Sequence, residues 1–209
     1  MKDIQPKESY KYIILKSYIR KYVRLNTKTW EESRYLSQNT QKPELPEGLE
    51  YPKRKNICVK KIENKDDYID LLLEADPSKA SIDKYLSNSD VYGLLVDENI
   101  VSLAVMLPIS KNTIELKNLV TKKEYRGNGY SEKLLKSLCG NYKQKYNKML
   151  VGTSENNIPF LVKLGFDKYE KTIKNYFIDM ADEEIIDGDL QCIDRYYYSK
   201  NLKKRLKDN

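Results

Sequence analysis

The stretch TIELKNLVTKKEYRGNGYSEKL, Thr113 to Leu134, holds the change of rhythm on which the fold turns. Thr113 to Thr121 alternates as a strand does, which places Ile114, Leu116 and Val120 on one face and Glu115, Lys117, Leu119 and Thr121 on the other. Lys122 to Tyr125 is polar and turns the chain into Arg126-Gly127-Asn128-Gly129-Tyr130-Ser131. From Ser131 onward the apolar spacing becomes helical, with Leu134, Leu135, Leu138 and Cys139 on one side. A strand, a glycine turn carrying a cation and a helix start form a candidate phosphate cradle. The first turn of a helix leaves several N–H groups without partners and concentrates positive partial charge. Glycines let that backbone approach an anion closely, and Arg126 adds a full charge beside it.

The flanks extend the pattern. Upstream, Ile57–Ile62 reads as a short strand, Asn64 as the cap of a helix reaching Leu73, and Asp76-Pro77 as the start of a second helix ending near Leu86. Val91–Val96 and Ile100–Leu107 flank Asp97-Glu98-Asn99 as a hairpin that leads through Lys111-Asn112 into Thr113. Downstream, Lys148–Thr153 reads as a strand and Ile158–Leu164 as a short helix capped by Gly165. Residues 171–178 and 191–199 read as two further strands.

The first 55 residues differ in character. Residues 8–25 read as a helix with Ile14, Leu15, Tyr18, Ile19, Tyr22 and Val23 on its apolar face and lysines and arginines over much of the rest. Thr29-Trp30-Glu31-Glu32 has the spacing of a capping box, and Pro43, Pro46, Gly48 and Pro52 make residues 41–55 a connector. Residues 1–60 hold 14 Lys and Arg against 7 Asp and Glu, while the remainder balances at 24 each, so the whole +7 charge sits in that first part. Such a segment either packs its apolar face on the main domain or holds an anionic partner. The expected organisation is a basic helical extension and linker over 1–55, an α/β domain over 56–200 and a basic tail over 201–209.

Composition narrows the chemistry. The 209 residues are enough for one full core. With no histidine in the chain, histidine triads and histidine bases are excluded. No metal-ligand cluster stands out, so no metal is expected. Cys58, Cys139 and Cys192, odd in number and widely spaced, suit reduced thiols in a cytoplasm. No apolar run approaches the ~20 residues that span a bilayer, and the N-terminus lacks a signal-peptide pattern, so no membrane partner is expected.

The order strand, two helices, three antiparallel strands, helix, strand, helix, two strands resembles the GNAT superfamily of acyl-CoA-dependent N-acetyltransferases. Two separate motifs carry the resemblance. Arg126-Gly127-Asn128-Gly129-Tyr130-Ser131 matches the family's R/Q-x-x-G-x-G/A pyrophosphate loop, with Ser131 in place of the last small residue. Phe160-Leu161-Val162-Lys163-Leu164-Gly165-Phe166 resembles the family's F-Y-x-K-x-G-F segment. Glu115-Leu116-Lys117-Asn118, Val151-Gly152-Thr153 and Lys174-Asn175-Tyr176-Phe177 also look like one bacterial branch.

The resemblance implies a GNAT fold, with a mixed central sheet of about seven strands flanked by helices, and acetyl-CoA as co-substrate. It implies that Arg126, Gly127, Asn128, Gly129, Tyr130 and Ser131 hold the pyrophosphate, and that Leu119, Val120 and Thr121 lend backbone groups to the pantetheine arm. The reaction it implies is direct attack of an amine, on a small molecule or a peptide, upon the thioester. Glu115 stands where some members place a glutamate base, and Asn175 and Tyr176 where the acceptor is bordered, beside an acidic stretch from Asp179 to Asp189. The tyrosine with which many members protonate the leaving thiolate is Leu161 here, with Tyr130, Tyr169 and Tyr176 as substitutes that spacing does not separate. Leu161 and Ser131 also keep a second reading open, a GNAT scaffold with little or no turnover that acts as a binding or regulatory protein through its basic N-terminal part.

Overall fold

In the computed structural model of the chain, residues 55–180, 184–187 and 190–203 are described. The expected basic helix, the capping box and nearly all of the connector lie outside the described residues, as do Asp182, Glu183 and Asp189 and most of the expected tail.

Seven strands form one mixed sheet in the order β1-β2-β3-β4-β5-β9-β6. They are β1 (Ile57–Ile62), β2 (Asp90–Val96), β3 (Asn99–Pro108), β4 (Thr113–Thr121), β5 (Lys148–Thr153), β6 (Lys168–Ile173) and β9 (Arg195–Asn201). Only the β4–β5 pair is parallel; every other neighbour runs antiparallel. A two-stranded ribbon, β7 (Ile186–Asp187) with β8 (Leu190–Gln191), stands apart. The helices are α1 (Ile69–Leu73), α2 (Lys79–Leu86), α3 (Tyr130–Tyr142), α4 (Ile158–Lys163) and α5 (Tyr176–Met180).

Helices cover both faces, and this explains why β2 and β3 read as nearly continuous apolar runs. On one face Leu134, Leu135 and Leu138 of α3, with Leu161, Leu164 and Phe166 of the α4 region, close over Leu94, Ala104, Met106, Ile114, Leu116 and Met149. On the other, Leu71 and Leu72 of α1 and Ile82 and Leu86 of α2 close over Val91, Leu103, Val105 and Val120. Each such valine, leucine, isoleucine, methionine or phenylalanine side chain, taken fully out of water, contributes about 1.5–3 kcal/mol. Gly165, at φ +86°, lets α4 end as expected: the Phe166 N–H donates to the Leu161 carbonyl at 3.0 Å and the Gly165 N–H to that of Val162 at 2.9 Å. Among the described residues no helix is long and apolar enough to cross a membrane.

Four expectations need correction. Val120 does not share a face with Ile114 and Leu116. The register steps from Val105–Asn118 to Met106–Leu116, so Lys117 is an extra residue, a bulge that inverts the alternation beyond it. Ile114 and Leu116 face α3, whereas Val120 lies under α1 and α2. Asn64 caps nothing: a 3₁₀ turn over Asp66–Tyr68 leads into α1 instead.

The second helix is capped by Ser78, whose hydroxyl accepts from the Ser81 N–H at 3.2 Å, rather than by Asp76. Asp76 braces the turn from outside, accepting from the Ser78 N–H and the Ser81 hydroxyl. Finally, 171–178 is not one strand. β6 stops at Ile173 because Asn175 adopts φ +55°, held by its N–H donating to Asp194 Oδ1 at 3.0 Å while Lys174 Nζ pairs with Oδ2 at 2.6 Å. The chain then coils into α5, and β9 begins only at Arg195.

Candidate functional site

The end of β4 and the start of α3 are tied together by hydroxyls. Ser102 Oγ donates to the Val120 carbonyl at 2.7 Å, Thr121 Oγ1 donates to Ser102 Oγ at 2.9 Å, and Thr121 Oγ1 lies 2.6 Å from Ser131 Oγ. Ser131, which departs from the family's small residue, thus fastens the helix start to the strand. Between them Gly127 and Gly129 take φ +76° and +73°, a left-handed backbone that other residues adopt only with strain. A Cβ at either glycine would meet nothing within 4 Å, so both project into open space. Gly129 caps α3 without a side-chain hydrogen bond, which leaves the first-turn amides facing that space.

Arg126 borders the cradle, its Nε donating to the Thr121 carbonyl at 2.9 Å and its Nη2 pairing with Glu74 Oε2 at 2.6 Å. The Asn128 amide donates to the Tyr125 and Arg126 carbonyls and so braces the loop from within. Tyr130 turns inward, buried against the core with an edge-on contact to Tyr125. The glycine cradle fits an anionic group such as a pyrophosphate: open glycines, unused amides and one arginine.

A second opening adjoins it. β4 pairs with β5 only from Thr113–Lys148 to Leu116–Val151. Beyond the Lys117 bulge the strands part, and among the described residues no strand lies against that edge of β4 from Lys117 to Thr121. Leu119, Val120 and Thr121 therefore offer backbone groups to an extended ligand, as an added strand would use them.

On the α1–α2 face beside this parting lies a polar cluster. Glu115 is only 6% exposed and its Oε1 accepts from Lys117 Nζ at 3.2 Å. Lys117 Nζ also lies 5.5 Å from the centre of the Tyr85 ring. Burial holds the Tyr85 phenol well above its usual value. Arg195, 8% exposed, reaches in from β9, its Nη1 donating to the Tyr176 hydroxyl at 2.7 Å and its guanidinium lying 4.7 Å from the Tyr176 ring centre and 5.5 Å from that of Tyr197. Burial raises the Tyr197 phenol; Arg195 opposes that shift and Glu115 adds to it.

The site residues expected from sequence thus fall in two places: Thr121 through Ser131 around the glycine cradle, and Glu115 and Tyr176 on the polar face. Asn175 serves the turn into α5, with its carbonyl accepting from the Asp179 N–H at 2.9 Å. Leu161 is buried in the core under α4. Of the substitute tyrosines, Tyr130 is used in packing, Tyr169 is 54% exposed and paired with Thr172, and Tyr176 alone joins the polar cluster. Sequence reasoning missed Arg195 and Glu74. Gly152 was the available signal for Arg195, because a glycine inside a strand marks a close approach, and here a Cβ would strike Arg195 Nε and the Tyr197 ring.

A seven-stranded mixed sheet that parts between two parallel strands, beside a glycine cradle at a helix start, is the layout of an acetyltransferase of the GNAT fold. The family model for an acetyltransferase (GNAT) domain matches residues 66–184, and the chain belongs to that family. A relative from Bacillus subtilis, the uncharacterised N-acetyltransferase YvbK, is 28% identical over 136 residues, covering 63% of this chain and 87% of its own. A GNAT family acetyltransferase from Elizabethkingia anophelis, solved with acetyl-CoA bound, is 28% identical with a TM-score of 0.63, over 70% of this chain and 98% of that one. A Bacillus subtilis acetyltransferase solved with CoA shares the fold at 24% identity and a TM-score of 0.60, over 71% and 99%.

Proposed function

We propose that this protein transfers an acetyl group from acetyl-CoA to the amine of a small molecule or peptide by direct attack. The observation that carries the reading is the parting of β4 from β5 next to the open glycine cradle. Bound there, acetyl-CoA supplies an activated thioester. The amides of Gly127 to Ser131 and the Arg126 guanidinium bind its pyrophosphate, and the free edge of Leu119 to Thr121 aligns its arm. A backbone N–H on that edge steadies the charge that develops on the carbonyl oxygen.

The C–N bond forms as the C–S bond breaks; the amine gives up a proton and the departing sulfur takes one. An alkyl amine near pKa ~10.4 needs help losing that proton, and Glu115 is the carboxylate on this face to receive it. Of Tyr130, Tyr169 and Tyr176, the tyrosines weighed for the role that Leu161 does not fill, Tyr176 is the one in this cluster, and we assign it the return of the proton. The unfilled role also carries the second reading, a binding protein with little turnover. Thiol release from acetyl-CoA across a panel of amines tests the choice: release above the amine-free rate is expected, and binding without release from any amine favours the second reading.

A further inference from the structure

We propose that Arg195 recognises a carboxylate on the acceptor, so that the amine acetylated here belongs to an amino-acid-like molecule. The inference rests on the acetyl-transfer reading above and narrows its substrate class. Arg195 is a buried cation with no carboxylate within ion-pairing distance among the described residues. Its neighbours are two phenol rings and one phenol oxygen, which cushion a guanidinium without neutralising it. Its Nε is buried and has no hydrogen-bond partner. Leaving a charge and a donor in that state is costly in a folded protein unless something arrives to satisfy them. A carboxylate at the terminal nitrogens of the guanidinium answers the charge, while Nε stays packed over Gly152 beside the Tyr197 ring.

The surroundings agree in sign. The Glu115 carboxylate is already taken by Lys117, and Lys171 Nζ lies 4.9 Å from the centre of the Tyr197 ring. Asp76 adds one carboxylate, accepting from the Tyr85 hydroxyl, but Arg195 and Lys171 outweigh it; the cluster is net positive, which disfavours a bare polyamine and favours an acceptor carrying a negative charge. Position fits as well. Glu115 pairs in register with Leu150, and Arg195 Nε packs over Gly152, two residues further along β5. With strands ~4.8 Å apart and a rise of ~3.3 Å per residue, those anchor points lie about 8 Å apart. An α-amino acid, its amine and carboxylate oxygen about 3 Å apart and each held through a hydrogen bond of about 2.8 Å, fits a backbone interval of that order with its amine toward Glu115 and its carboxylate toward Arg195. Gly152 sits just past the last β4–β5 pair, so the carboxylate end lies beside the parting of the strands.

The test uses the full chain and measures thiol release from acetyl-CoA with each of the common amino acids and its α-amide. The acids should exceed their amides in kcat/KM by about tenfold or more, as expected for loss of one charge-assisted pair. In Arg195→Met that preference should collapse while the KM for acetyl-CoA stays unchanged. Tyr176→Phe keeps the stacking and removes the hydroxyl that holds Nη1. Because that hydroxyl is also assigned the return of the proton, the readout is the ratio of kcat/KM for an acid to that for its amide, in which loss of proton return cancels. That ratio should fall several-fold, and the variant guards against misfolding of the first. Amides that match or outperform acids, or a preference that survives Arg195→Met, overturn the proposal. Release with amines lacking a carboxylate but with no amino acid overturns it too, while leaving acetyl transfer intact. Failure of acetyl-CoA to bind at all removes the underlying reading, and the proposal with it.

Discussion

Lys117 is one residue too many for a regular ladder, and the site depends on that excess. By inserting it, β4 turns Asn118 to face α1, where its Nδ2 donates to the Leu72 carbonyl at 3.0 Å, and frees the following edge from β5. It also carries the cation that holds Glu115. If Glu115 receives the amine proton, Glu115→Gln should lower kcat/KM for the amine by about a hundredfold with little change in the KM for acetyl-CoA, read in steady-state kinetics. Glu74 is expected to act in the opposite sense. Its carboxylate holds the Arg126 Nη2 that a pyrophosphate would also need. Glu74→Gln should tighten CoA about threefold at low salt, with the gain fading at high salt because the pair is exposed. Titrations at two ionic strengths separate that outcome from no effect.

At the scale of elements, the turn before α3 needs its glycines for two reasons at once. Gly129→Ala places a side chain at φ +73°, at a cost of about 1 kcal/mol, and puts a methyl into the open cradle. The variant should lose CoA affinity out of proportion to a small fall in melting temperature. The turn into α5 depends instead on charge. Lys174 and the Asn175 N–H hold the Asp194 carboxyl below its ordinary value of 3.8, so its contribution to stability is complete above that pH and is lost as pH falls through the depressed value. Asp194→Asn should lower the melting temperature at neutral pH and flatten its decline on acidification, whereas identical profiles would show that the clasp contributes nothing.

Over the whole molecule, what was legible in the sequence was local and periodic. The glycine turn, the helical spacing after it, the hairpin of β2 and β3 and the Gly165 cap each depend on residues close together, and each formed. What stayed hidden depends on distant partners. The Lys117 bulge is a mismatch with β3 that no window on β4 alone contains. The break at Asn175 needs Asp194, nineteen residues further on. Nothing beside Arg195 in the sequence marks it as buried; the room for it is made by Gly152, on another strand.

The central claim, that the glycine cradle and the free edge of β4 form one acyl-CoA site, is tested most directly by calorimetric titration of acetyl-CoA into the native chain and into Arg126→Glu. Saturable one-to-one binding, weakened by about tenfold or more in the variant, is the expected result. Absence of binding, or equal affinity in the two proteins, would contradict it.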